Sequence, residues 1–251
     1  MIKSVVILVI STITCHTICA QEGEAIAKAN PIKTTAVATE NKSNDSVTNK
    51  NLIPLFGELE KTVGEKEADR IFINMCSKNF PSMKEASKFF ADRAWEYLAE
   101  GELDTAIHRF NLCYLLNDKN ADAYWGLGVI TFQKGDLDKA SYILKKGVVA
   151  DSTNSALIVD LATVELSCFE KNNHQEDLAL AHSYLAKALD LDPSNIAGWQ
   201  KRSETEYYLE NYENAWECVH SARLLDLSKI DLVFVAKLAA KMKDPQDIFK
   251  F

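Results

Sequence analysis

Residues 101–110 read GELDTAIHRF, and residues 135–144 read GDLDKASYIL. Gly, Leu, Asp and Ala hold the same places in both, 34 residues apart. A phrase that recurs at a fixed spacing marks a repeated supersecondary unit. Each copy opens on a glycine between two helix-patterned stretches, where a glycine ends one helix before the next begins. Working outward, the alanines set the period. Ala106 to Ala140 is 34 residues and Ala181 to Ala215 is 34, but Ala140 to Ala181 is 41. The seven extra residues coincide with the polar stretch FEKNNHQED, 169–177, which reads as an enlarged turn between two helices. The breaks between units also rhyme: NDKNADAY, DSTNSALI and DPSNIAGW. Asn120, Asn154 and Asn195 stand just before the next helix, where a side-chain oxygen can accept an unpaired backbone N–H.

A 34-residue helix-turn-helix period resembles the tetratricopeptide repeat. The family's large residue early in the first helix of a repeat appears as Phe90, Tyr124, Ile158 and Trp199, and the small residue four places on as Ala94, Gly128, Ala162 and Ser203. In the second helix the small residue is Ala106, Ala140, Ala181 and Ala215, the next large one Phe110, Leu144, Leu185 and Val219, and the next small one Cys113, Gly147, Ala188 and Ala222. Small residues let paired helices approach closely while bulky ones fill the gap to the next repeat. The closing proline survives only as Pro193, and the mid-helix aromatic only as Tyr97; Thr131, Glu165 and Glu206 replace it, so the last two repeats are expected to pack differently. The resemblance implies an all-α solenoid over 87–251, with repeats at 87–120, 121–154, 155–195 and 196–229 and a terminal helix and tail at 230–251.

The same resemblance places the first helix of each repeat on the concave face, the usual binding surface of a solenoid. In that register Trp95, Leu98, Trp125, Val129, Phe132, Tyr207 and Phe234 line an apolar groove, with Gln200 and Glu204 at a more polar far end. Exposed, such a groove would take a protein or peptide partner. The other reading is that its aromatics are packed by the N-terminal helix, or by the tail DPQDIFKF, 244–251, with Phe249 and Phe251 as internal ligands. The groove lacks the Lys and Asn set by which some family members hold a peptide carboxylate.

Upstream, PSMKEASKFF supplies a helix start, with Ser82 and Glu85 spaced as a capping box. Ile71, Phe72, Met75 and Cys76 share one helical face. Residues 51–86 therefore read as an N-terminal helical cap. Residues 21–50 contain no aromatic and read as a flexible tether. The first twenty residues, MIKSVVILVISTITCHTICA, have the layout of a secretory signal peptide: a basic Lys3, a short apolar core and a small residue at Ala20. The apolar run is too short to span a bilayer, so no integral segment is expected after cleavage. Thr14 and Ile18 precede Cys15 and Cys19, where a lipoprotein signal prefers Gly or Ala, which argues against a lipid anchor. The stretch RFNLCYLLNDKNADAYWGLG, 109–128, adds a likeness to exported bacterial repeat proteins, and a periplasmic or cell-surface location is expected.

The 251 residues carry a net charge of −8, with 9 Gly and 5 Pro. That balance, without a basic stripe, excludes nucleic acid as a partner class. Cys76, Cys113, Cys168 and Cys218 have no metal-type spacing and sit in helical patterns; they read as buried thiols, with a disulfide left open. No two histidines are spaced as ligands on one helix, DLDPSN lacks the glycine and bidentate Glu of a calcium loop, and Gly126-Leu-Gly128 lies in mid-helix. No cofactor, metal or catalytic residue is expected. The expected function is a noncatalytic scaffold. The alternative is an enzyme or enzyme-associated module acting on cell-wall or secreted material, which would need Glu165, Glu204 and Glu206 to converge in a pocket.

Overall fold

The computed structural model describes residues 49–250. The expected leader and almost all of the tether lie outside the described residues, as does Phe251. Among the described residues there are ten α-helices and no strand: α1 (Val63–Asn79), α2 (Met83–Ala99), α3 (Leu103–Leu116), α4 (Ala121–Gln133), α5 (Leu137–Ala150), α6 (Ser155–Asn172), α7 (Gln175–Leu191), α8 (Ile196–Tyr208), α9 (Tyr212–Leu225) and α10 (Leu232–Ala239). α2 with α3, α4 with α5, α6 with α7 and α8 with α9 form four antiparallel hairpins, stacked in chain order.

The repeated glycine has a conformational cause. Gly101 and Gly135 close their hairpins at φ 82° and 86°, in the left-handed region. The fourth hairpin makes the same turn with Glu210 (φ 61°), while the third closes one residue shorter on the left-handed Asn173 (φ 57°), so the phrase fades while a left-handed residue persists. Between hairpins, Asn120, Asn154 and Asn195 each accept a helix N–H, from Asp122, Leu157 and Gly198. At Ser82 only half of the expected box forms: its hydroxyl accepts the Glu85 N–H. The reciprocal box sits at Thr62 and Glu65, opening α1.

The small positions are contact points. A Cβ at Gly126 would lie 2.0 Å from the Phe110 ring, and one at Gly128 2.6 Å from Leu144. Phe110 and Leu144 are fully buried and cannot move aside. Ala106, Ala140, Ala181 and Ala215 are likewise completely buried.

Three features depart from expectation. The polar stretch 169–177 is not an enlarged turn: α6 runs on to Asn172 and α7 starts at Gln175, so the extra residues lengthen both helices. Phe169 and Leu178 are buried in a common cluster, and Tyr208 packs edge-on against Phe169 at 5.3 Å. That apolar seam holds the extra turns together and leaves the polar residues on the outside.

The N-terminal region is not helical throughout. Residues 49–62 form a strap of two 3-10 turns, one of them left-handed at Leu55, Phe56, Gly57 and Glu58. Leu55 and Phe56 are buried, Asn111 donates to the carbonyls of Asn51 and Ile53, and Glu58 pairs with Lys146 and Tyr142. These contacts offset the steric cost of the left-handed backbone.

Finally, the tail turns onto α9 rather than into the concave row. Trp216 donates to the Met242 carbonyl at 2.9 Å, and Phe249 stacks on Trp216 and His220. Asp244, buried, accepts from His220 and from the N–H groups of Gln246, Ile248 and Phe249.

Candidate interaction face

α2, α4, α6 and α8 stand side by side as the first helices of the four hairpins. Trp95 on α2 and Trp125 on α4 meet edge to face, with ring centroids 5.1 Å apart. Trp95 also stands 5.1 Å from Phe110, in the core beneath. Both indoles are half-buried. Each donates its N–H to a carboxylate on the next first helix: Trp95 to Asp122 at 3.3 Å, and Trp125 to Asp160 at 2.6 Å. Two hairpin junctions thus share one device, an indole reaching across the seam to an aspartate.

The other expected groove residues divide. Leu98 is buried in the core beside Ile107 and Ile130, so it offers no groove surface and is removed from the set. It shares that core cluster with the strap residue Leu55, Ala106 and Phe110. Val129 and Phe132 are half-buried at the edges of two different core clusters. Tyr207 and Phe234 do come together, at 5.9 Å, but Lys237 of α10 lies over Tyr207 at 4.5 Å and Tyr208 at 5.0 Å. The far end of the row is therefore occupied by the chain's own terminal helix. Among the described residues, the clusters that Trp95 and Trp125 pack against contain no α1 or tail side chain, and the two indoles pack each other.

The electrostatics of the row are acidic. Burial pushes the Asp122 carboxyl above its ordinary range, against the Trp95 hydrogen bond. Burial pushes Asp160 up to about 6, against the Trp125 bond. Glu204 is raised in the same way, although Lys201 pairs with it at 2.8 Å. Composition and repeat register do not point to Asp122 and Asp160. The available signal for Asp160 was a carboxylate set within the apolar run SALIVDLA, 155–162.

Glu165, Glu204 and Glu206 each have their own partners. Glu165, on α6, accepts from Ser141 at 2.6 Å and pairs with Lys145, both on α5. Glu206, on α8, meets His182 of α7 at 3.0 Å and Asn211 at 3.1 Å. Ser141 and His182 each follow the small Ala of their helix, so these two buried glutamates are equivalent clamps onto the preceding repeat. They take the place of the aromatic the register leads one to expect. Cys76, Cys113, Cys168 and Cys218 are buried free thiols. Burial raises Cys76 and Cys168 to about 11, and Cys113 and Cys218 to about 12, which keeps them protonated and unreactive. Among the described residues no group of His, Cys, Asp and Glu is placed to hold a metal, and no helix is long and apolar enough to cross a membrane.

No family model matches the chain. It is 27% identical over 130 residues to the TPR repeat-containing protein MJ1428 of Methanocaldococcus jannaschii, covering 49% of this chain. It spans about a fifth of that relative's length (22%). Among solved structures it resembles TTC0263, a thermophilic TPR protein of Thermus thermophilus, with TM-score 0.51 and 16% identity over 64% of this chain and 94% of the other. It also resembles the APC/C hetero-tetramer Cut9-Hcn1, with TM-score 0.50 and 21% identity over 70% of this chain and 37% of that one. These likenesses, with the four stacked hairpins, establish the fold as a tetratricopeptide solenoid.

Proposed function

We propose that this tetratricopeptide solenoid is a noncatalytic scaffold, exported to the bacterial cell envelope, that docks a protein or peptide partner on the row formed by α2, α4 and α6. One observation carries the reading: Trp95 and Trp125 form an aromatic pair on the first helices of adjacent repeats, each half-buried rather than enclosed among the described residues. Aromatic anchors in a central, partly desolvated surface are where binding energy concentrates, with truncations costing about 2 kcal/mol or more. The separate commitments of Glu165, Glu204 and Glu206 favour a scaffold over an enzyme, as do four thiols held in the protonated form.

The test is capture from envelope extract by the full chain and by Trp125→Ala and Trp95→Ala. A partner retained by the parent and lost by both variants, whose helical content is unchanged, supports the docking row. An identical set of captured proteins from all three refutes it. Export is checked separately by mass spectrometry of the native protein, expected to start near Gln21; an intact Met1 in a cytoplasmic fraction refutes it.

A further inference from the structure

We infer that the segment docking on this row presents a cationic side chain, a Lys ammonium or Arg guanidinium, seated beside Trp125 against Asp160. The inference rests on the row being the docking face and adds the chemistry of its occupant.

Charge balance along the row is the first observation. Asp92 on α2 is paired with Lys88 at 2.7 Å, and Glu204 on α8 with Lys201. Asp122 and Asp160 lie on the helices between, and each takes one neutral indole N–H and forms no ion pair among the described residues; Lys88 acts on Asp122 from a distance, and no cation acts on Asp160. Asp160, half-buried and met only by a neutral donor, lacks counter-charge. Burial has raised both carboxyls accordingly. A cation arriving from a partner supplies what the fold withholds, and the neighbouring indole rings add attraction to its charge.

The second observation is internal to the chain. At the C-terminal end of the same row, Lys237 already sits over the rings of Tyr207 and Tyr208. There the surface is closed by an ammonium from α10. At the Trp95–Trp125 end no described residue of the chain plays that part.

The test is a calorimetric titration of the full chain with acetyl-capped, amidated hexalysine. Hexa-acetyllysine and hexaglutamate of the same length serve as comparisons. Saturable one-to-one binding of hexalysine is expected, weakening with added salt and absent for the other two peptides. Asp160→Asn should weaken it at least tenfold, and Asp122→Asn should weaken it as well. Both variants keep a carbonyl oxygen for the indole N–H, so both should melt no lower than the parent. Asp138→Asn removes the same charge at an exposed site on α5 and should leave the affinity unchanged. Equal weakening by Asp138→Asn and Asp160→Asn, binding of hexa-acetyllysine as tight as hexalysine, or no saturable binding overturns the inference. The docking row is judged apart from it. A natural partner lost by Trp125→Ala but kept by Asp160→Asn leaves the row standing and removes the cation. A partner kept by both removes both.

Discussion

Gly126 and Glu210 are opposite cases of a residue matched, or not, to its backbone. Gly126 is small because the Phe110 ring fills the space a methyl would need. Gly126→Ala should therefore destabilise the chain by about 1–3 kcal/mol, read as a lower urea midpoint. Glu210 is exposed and left-handed at φ 61°, where Gly101 and Gly135 stand in the first two hairpins. Glu210→Gly should raise stability by about 0.5–1 kcal/mol, because it relieves the Cβ clash and removes no packing. A loss of stability there would mean the fourth turn differs from the first two. Asp160 makes a prediction with a definite pH sign. Its folded carboxyl titrates at about 6, above the ordinary aspartate near 4. Below about pH 4 the group is neutral in both states and costs nothing. As pH rises to about 6 the unfolded chain has released its proton while the folded chain still holds one, so stability falls across that window and then levels off. Asp160→Asn should remove that fall, melting like the parent at pH 4 and about 1–2 kcal/mol more stable at pH 7. A constant difference at both pH values would contradict the desolvated carboxylate.

Helices and their junctions carry the next level of specificity. Each hairpin closes on a left-handed residue and each junction opens on an asparagine cap, so the element boundaries follow from local chemistry. The extra residues between Ala140 and Ala181 look like loop in the sequence because their outward face is polar. Phe169 and Leu178, two apolar residues nine apart, hold the lengthened pair together, too sparse a pattern for a helical period. The tail is a second element decided by contacts distant in sequence. The His220 ring and the Trp216 indole bind it to α9, and three backbone N–H groups fold it around Asp244. Burial works against the Asp244 carboxylate, but the N–H groups of Phe249, Gln246 and Ile248 and the His220 ring outweigh it and lower its pKa to about 2. The sign is opposite to that of Asp160: stability from this group is present above pH 4 and is lost as pH falls toward 2. Asp244→Ala should cost about 2–4 kcal/mol, since it leaves buried donors unmet. It should also shift Trp216 emission to longer wavelength as the tail releases. Unchanged Trp216 fluorescence would place the anchor elsewhere.

For the whole molecule, a solenoid in which each hairpin touches mainly its neighbours should lose stability by increments. A chain ending at Asn195, without α8, α9, α10 and the tail, should keep the Trp95–Trp125 environment and the helical signal of the first three hairpins. It should melt lower, because Val159 and Leu189 lose the cover that Gly198 now gives them. Global unfolding of that truncation would mean that stability runs through the chain as a single unit. A stack of this kind also explains why two ends of one row can differ: α10 closes one, and no described element continues the other across its aromatics.

The repeat period, the hairpins, the asparagine caps and the small contact positions were all legible in the amino-acid order, because turns and caps are set by local chemistry and the small positions recur at the repeat spacing. A left-handed turn selects glycine, a helix start selects Asn, and a close helix crossing selects Gly or Ala. Leu98 entering the core, Glu165 and Glu206 clamping the preceding repeat, and the indoles reaching Asp122 and Asp160 were settled only by packing. So was the path of the strap and the tail. Each depends on which side chain from a neighbouring repeat arrives within about 3 Å to satisfy a polar group or fill a space. Spacing along a single helix carries no record of that neighbour.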